Sequence, residues 1–236
     1  MKKLSALALA LVALFTISAC GGEEPVEGDT YLELNPYTDV DWEAHTHILS
    51  NLHTHTQTSD GDYTPAEVVD MYYDGGYGAL AITDHDEDVN DSYDKVAYPW
   101  TEFNQVSAAW ENRSPSNLGM IDIVGSELSY NHHMVALFTD YRQPDGSMDE
   151  MTALDNAFAS TEDAVAFMAH PGRYWEHDET YEEGDEYSPE WYLNFFETYD
   201  ADELMGIEVY NRNDEYMHDR ILWDKLLSET MPERTI

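Results

Sequence analysis

From about His45 onward, short apolar runs alternate with amphipathic segments that carry helix-start and helix-stop signals. This alternation commits the chain to an α/β architecture with a mainly parallel sheet or barrel. Strands are predicted over residues 47–53, 79–83, 120–124, 133–139, 165–169 and 205–210. Helices are predicted over 64–75, 100–112, 148–164, 188–199 and 214–229. The first helix is the most explicit. Thr64-Pro65-Ala66-Glu67 offers an N-cap, a proline at the first helical position and a glutamate placed to close a capping box. Gly75-Gly76 is its stop. Segments 86–99 and 173–187 are long, polar and rich in aromatics, as loops over one end of a sheet would be.

The histidines are not scattered among these elements. His53-Thr54-His55 closes the first strand, with Ser59-Asp60-Gly61 just beyond, and Thr83-Asp84-His85-Asp86 closes the second. Glu127 follows the third, Asn131-His132-His133 opens the fourth, and Ala169-His170-Pro171-Gly172-Arg173 closes the fifth. In a parallel barrel the carboxyl ends of the strands share one face, where active sites are assembled. Alternate residues of a strand point the same way, so His53 and His55 can clamp one cation. Imidazole with carboxylate suits Zn²⁺, Mn²⁺ or iron. A carboxylate such as Glu127 has two oxygens and can bridge two ions. Six or seven candidate ligands are too many for one tetrahedral ion, so two or three divalent metals are expected.

His133 is preferred to His132 because residues 133–137 continue as a strand. His47 lies too far back along the first strand, and His45, His177 and His218 read as ordinary surface or loop residues. Asp84 and Asp86 are either partners that orient His85 or members of a solvated turn. Arg173 either forks onto a phosphate oxygen or forms a surface ion pair, and Arg212 is a weaker candidate for the same task. Aromatic residues over 173–199 either stack on a nucleobase or pack the fold.

Charge narrows the partners. The chain carries 49 Asp and Glu against 10 Lys and Arg, a formal net charge of −39. Such a surface repels phosphate backbones, so duplex nucleic acid is not expected as a partner, although bound metal reverses the sign locally. A lysine-poor, acid-rich surface is what a halophilic or marine protein would carry, with an ordinary acidic secreted protein as the alternative.

The N-terminus reads as a lipoprotein signal peptide over 1–19. Lys2 and Lys3 precede an apolar run over 4–19, shorter than the ~20 residues of a bilayer span. Ile17-Ser18-Ala19-Cys20-Gly21 looks like a bacterial lipobox, and Cys20 is the single cysteine of the chain. Lipidation at Cys20 would leave 20–44 as an acidic flexible tether and 45–236 as the functional domain, exported and anchored to the cell envelope by lipid alone.

Five pieces of the sequence resemble the PHP family, the polymerase-and-histidinol-phosphatase domain. They are Asn51-Leu52-His53-Thr54-His55-Thr56 with Ser59-Asp60-Gly61, Ile82-Thr83-Asp84-His85-Asp86, Val124-Gly125-Ser126-Glu127-Leu128, the strand from His133, and Ala169-His170-Pro171-Gly172-Arg173. Gly206-Ile207-Glu208-Val209-Tyr210-Asn211 resembles a late strand of the family, and the match spans about 46–236. The resemblance implies a distorted (β/α)7 TIM-like barrel with two or three metals. It places His53, His55 and Glu127 on a first ion, Glu127, His133 and His170 on a second, and Asp60 and His85 on a third. The family's closing Asp-x-His does not follow Asn211, so the last unit is expected to be truncated here. Glu208 is not a usual ligand in the pattern.

The activity so implied is metal-dependent hydrolysis of a phosphate ester on a small substrate, nucleotides included. Glu127 and Arg173 are the residues expected to serve the chemistry. Two rivals stand beside it. An amidohydrolase-type barrel also uses His-x-His but commonly bridges its metals with a carboxylated lysine, and neither Lys95 nor Lys225 sits at a suitable strand end. A non-catalytic metal- or solute-binding lipoprotein is the other.

Overall fold

Six strands form one sheet in chain order: β1 (Leu49–Asn51), β2 (Tyr77–Ile82), β3 (Ile121–Ser129), β4 (His133–Leu137), β5 (Val165–Met168) and β6 (Leu204–Ile207). They come from a computed structural model that describes residues 41–44, 46–86, 114–143, 148–175, 188–212 and 217–230. Cys20, the signal and nearly all of the tether, His45, Lys95, His177 and the helix expected over 100–112 lie outside the described residues.

The sheet is mainly parallel, as expected, but not wholly so. β1, β2 and β3 run parallel, as do β5 and β6, but β4 is antiparallel to both of its neighbours. The cause is the length of a connection. Only Tyr130, Asn131 and His132 separate β3 from β4, whereas a parallel crossover needs about a dozen residues. β4 therefore starts where β3 ends, and its first residue, His133, stands at the rim formed by the carboxyl ends of the other strands.

β3 is also longer than the sequence suggested, so Glu127 lies inside a strand rather than after one. Its first half pairs with β2 and its second half with β4. Gly125 marks the changeover, and a Cβ there would lie 2.5 Å from the Ala136 carbonyl oxygen. The described residues define an α/β fold with six strands, and the count of seven units is not reached among them.

Four α-helices are described: α1 (Pro65–Asp74), α2 (Glu150–Ser160), α3 (Pro189–Thr198) and α4 (His218–Thr230). The α1 capping box is complete, with the Glu67 N–H donating to the Thr64 hydroxyl and the Thr64 N–H donating to the Glu67 carboxylate. Asp149 and Ser188 cap α2 and α3 more simply, their side chains accepting the Thr152 and Trp191 N–H groups.

Strand alternation divides the core in two. Leu80 and Ile82 meet Val68 and Val69 of α1, while Met134, Ala136, Ala166 and Met168 meet Leu154, Phe195, Phe196 and Leu222 of the other helices. The opposite strand face carries Ala79, Ala81, Ile123, Val135 and Leu137. Burial of side chains of this size contributes about 1.5–3 kcal/mol for each large aliphatic or aromatic residue. The inner face is built largely from small and β-branched side chains, and it ends at the rim in Glu127 and His133.

Candidate metal centre

Backbone hydrogen bonds continue the strand ladders past their formal ends and hold the rim residues in a row. The Thr83 N–H donates to the Thr54 carbonyl, the Glu127 N–H to Asp84, the Asp86 N–H to Glu127, the Ala169 N–H to His133, and the Glu208 N–H to Met168. Consecutive strand-end segments are thereby tied edge to edge. Residues more than a hundred positions apart in sequence meet around one side chain.

That side chain is Glu127, which is fully buried. Its Oε1 lies 3.0 Å from His133 Nδ1, 3.0 Å from His170 Nε2 and 3.4 Å from His53 Nε2. Its Oε2 lies 2.8 Å from His55 Nε2 and 3.0 Å from His85 Nδ1. Asp60 extends the cluster, with Oδ1 2.6 Å from His55 Nδ1 and Oδ2 3.6 Å from His85 Nε2. The seven residues singled out as ligands in the sequence are therefore brought together. Three overlapping groups have donor atoms within 4.8 Å of one another: His53, His55 and Glu127; His55, Asp60 and His85; and His85, Glu127 and His133.

The electrostatics are those of an anionic site. Burial disfavours charge on His53, but hydrogen bonds to Glu127 and Glu208 outweigh it and hold its pKa up at about 10. Burial is likewise overcome at His85, where Asp60 and Glu127 bring the value to about 9. His55 is raised against the same burial by Asp60 and Glu127. Burial opposes ionisation of Glu127, yet His133, His170, His53 and His55 hold it well below the usual range. The same site that retains protons on imidazole would favour divalent cations in their place.

Donor chemistry fits such ions. Imidazole nitrogens and carboxylate oxygens are the ligands of zinc, manganese and iron. The Glu127 Oε2 is buried and lacks a hydrogen bond of good geometry despite its close imidazoles, as an oxygen aimed at a cation would be.

Several neighbouring roles differ from those weighed in the sequence. The Asp84 carboxylate serves the turn that follows His55. It accepts from the Thr56 N–H and the hydroxyls of Thr56, Thr58 and Ser59, and so shapes the turn between His55 and Asp60. Gly61 belongs to that turn, since a Cβ there would stand 2.7 Å from the Thr56 nitrogen. Asp86 instead accepts from the Ser129 and Gln143 N–H groups. The Ser129 hydroxyl lies 2.6 Å from His85 Nδ1.

His132 turns away from the cluster and packs among Tyr174, Trp191 and Tyr192, where burial pushes its pKa down to about 3. His47 is exposed beside Trp42, and His218 lies near Trp175.

A cavity of about 330 Å³ opens onto the cluster and is lined by His53, His55, Asp60, His85 and His170. Arg173, Asn211, Arg212, Tyr63 and Tyr72 line it as well. Arg173 leans over the Tyr174 ring, 5.5 Å from its centroid. His170 and Arg212 both adopt positive φ, at 31° and 44°, a strained backbone that recurs at functional sites.

A buried carboxylate ringed by imidazoles at the rim of an α/β sheet fits divalent metal binding. No family model matches the chain. Over 98 residues, 39% of this chain and 31% of the relative, it is 30% identical to the 5′-3′ exoribonuclease Rnm of Escherichia coli (strain K12). A solved two-domain protein of Bacteroides vulgatus ATCC 8482, described as containing a predicted PHP-like metal-dependent phosphoesterase, matches with a TM-score of 0.53 and 27% identity. That match covers 75% of this chain and 49% of the other, so the chain spans less than half the length of either relative. The chain is thus similar, in sequence and in fold, to PHP-like metal-dependent phosphoesterases.

Proposed function

We propose that the chain is a metal-dependent phosphoesterase acting on a small phosphorylated substrate, with nucleotides in the candidate class. The observation that carries this reading is the convergence of five imidazoles on the buried Glu127 carboxylate, at the head of a cavity that also holds arginine. His53, His55 and Glu127 are assigned to a first cation, Glu127, His133 and His170 to a second, and Asp60 with His85 to a third. When bound, such cations lower the pKa of water and neutralise phosphate oxygens.

The protein's own residues do the rest. Glu127, with an oxygen toward each half of the cluster, fixes the spacing of the imidazoles. Asp84 holds the turn that presents Asp60. Arg173 and Arg212 are the arginines lining the cavity among the described residues, and a guanidinium there can fork onto a non-bridging phosphate oxygen. They offset part of the repulsion that a net charge of −39 imposes on any phosphate.

The exoribonuclease relative acts, by its name, on RNA. A 330 Å³ cavity has the scale of a small-ligand pocket and supports a mononucleotide or strand end better than a duplex. The amidohydrolase alternative is less well supported, because the buried group at the bridging position is Glu127 and Lys225 is exposed on α4. Export and lipid anchoring at Cys20 belong to the same proposal, supported by the lipobox-like Ile17–Gly21.

The test is hydrolysis of p-nitrophenyl phosphate, its diester and nucleotides with Mn²⁺ or Zn²⁺. Turnover that requires metal and is lost in Glu127→Gln supports the reading. Firmly bound metal without turnover of any ester would instead make the chain a binding protein.

A further inference from the structure

β1 and β6 are the two edges of the sheet and share no ladder, yet a side chain from one end meets a side chain from the other. Glu208, just beyond β6, places its two carboxylate oxygens 3.2 and 3.3 Å from Nδ1 of His53, just beyond β1. The same carboxylate accepts the His170 backbone N–H at 2.9 Å and the Asn211 side-chain amide at 2.9 Å. One acid therefore holds a histidine from each side of the cluster, and its grip on His170 falls on a residue with strained φ.

The two ring nitrogens of His53 are divided between two carboxylates. Nδ1 faces Glu208, whereas Nε2 faces Glu127 and lies 3.1 Å from His55 Nε2. Glu208 is on the far side of the ring from the candidate cation positions and is in none of the ligand groups. Asp60, the corresponding partner of His55 Nδ1, is itself in one. Glu208 is also largely buried, with 15% of its side chain exposed, so its interaction with His53 is only partly screened by water.

We propose that Glu208 is a positioning residue. It keeps the proton of His53 on Nδ1 and so presents the Nε2 lone pair to a cation, while through the His170 N–H it sets the distance between the β1 and β5 sides of the centre. This rests on the metal-centre reading given above and adds a carboxylate–imidazole–metal relay to it. A carboxylate behind a ligating imidazole fixes its tautomer and ring orientation and raises its basicity, and removing one typically weakens metal affinity about 10–100-fold.

The test uses the full chain and three readouts. Nitrogen-15 spectra of the histidines should show the His53 proton on Nδ1 alone in the Zn²⁺-loaded protein, whereas the metal-free ring, facing Glu208 on one side and Glu127 on the other, carries a proton on both nitrogens. A proton on Nε2 in the zinc-loaded protein overturns the proposal. Stepwise Zn²⁺ titration against a chelator should show Glu208→Ala weakening one ion by about 10–100-fold and leaving another within about threefold. Glu208→Gln, which keeps an acceptor for the Nδ1–H, should recover most of that loss. Unchanged affinities in Glu208→Ala, or equal weakening of every ion, overturn the proposal. So does a Glu208→Gln variant as weak as Glu208→Ala. If Glu208→Ala does not fold, the wild-type spectra and Glu208→Gln decide. Kinetics separate the two claims, since metal binding with the expected tautomer but no turnover removes the phosphoesterase reading and leaves Glu208 in place.

Discussion

Replacing Glu127 by glutamine keeps the shape of a fully buried side chain and removes its charge. At an effective dielectric of about 20 and a separation of about 4 Å, one unit charge against a divalent cation amounts to about 8 kcal/mol. Burying the carboxylate costs several kcal/mol, which the variant recovers. A net loss of about 3–4 kcal/mol per ion remains, or two to three orders of magnitude in Kd. Chelator-competition titration with Mn²⁺ or Zn²⁺ reads this directly, and circular dichroism checks that the variant is folded. Ester hydrolysis should disappear with the metal. A folded Glu127→Gln protein whose ion count is unchanged and whose affinities stay within about threefold would refute the bridging role.

Other outcomes follow from particular contacts. Asp122 sits on β3, partly exposed, and burial raises its carboxyl from 3.8 to about 7. The folded state thus holds that proton more tightly than the unfolded chain, and stability falls as pH rises from about 4 to 7. Asp122→Asn should remove the fall and gain ~1–2 kcal/mol at pH 8, after allowance for solvent screening, and nothing near pH 3, as urea unfolding at both values will show. Gly172→Ala should cost ~1–3 kcal/mol and weaken metal binding, because a Cβ there collides with Asp219 at the start of α4, whose carboxylate accepts the Gly172 N–H. Thermal unfolding with and without Zn²⁺ measures both effects. Cys20→Ser should move the protein from the detergent-soluble membrane fraction to the soluble fraction, and an unchanged distribution would contradict the anchor.

Much of the candidate site was legible because its ligands obey a local rule. Imidazoles and carboxylates sat at the ends of apolar runs, and the His-x-His period of two already placed His53 and His55 on one side of a strand. Capping residues announced α1 just as plainly. What stayed hidden depended on pairing between distant segments. The direction of β4 followed from a connection too short for a crossover, and only that reversal puts His133 on the rim with the carboxyl ends of its neighbours. Glu127 looked like a loop residue because Gly125-Ser126-Glu127 is not an apolar run, but β4 covers it and extends the strand. Asp84 adjoins His85 in sequence and serves the turn before Asp60 instead, since backbone direction carries its side chain toward Thr56. Glu208 carried a signal of the same strand-end kind in Gly206-Ile207-Glu208-Val209. Its value emerges only where the edge strands approach.

Anomalous scattering from crystals of the zinc- or manganese-loaded protein bears most directly on the central claim. The account predicts at least two metal peaks that share the Glu127 carboxylate, one also touching His53 and His55 and another touching His133. Metal peaks confined to surface acids, with none beside Glu127, would contradict it.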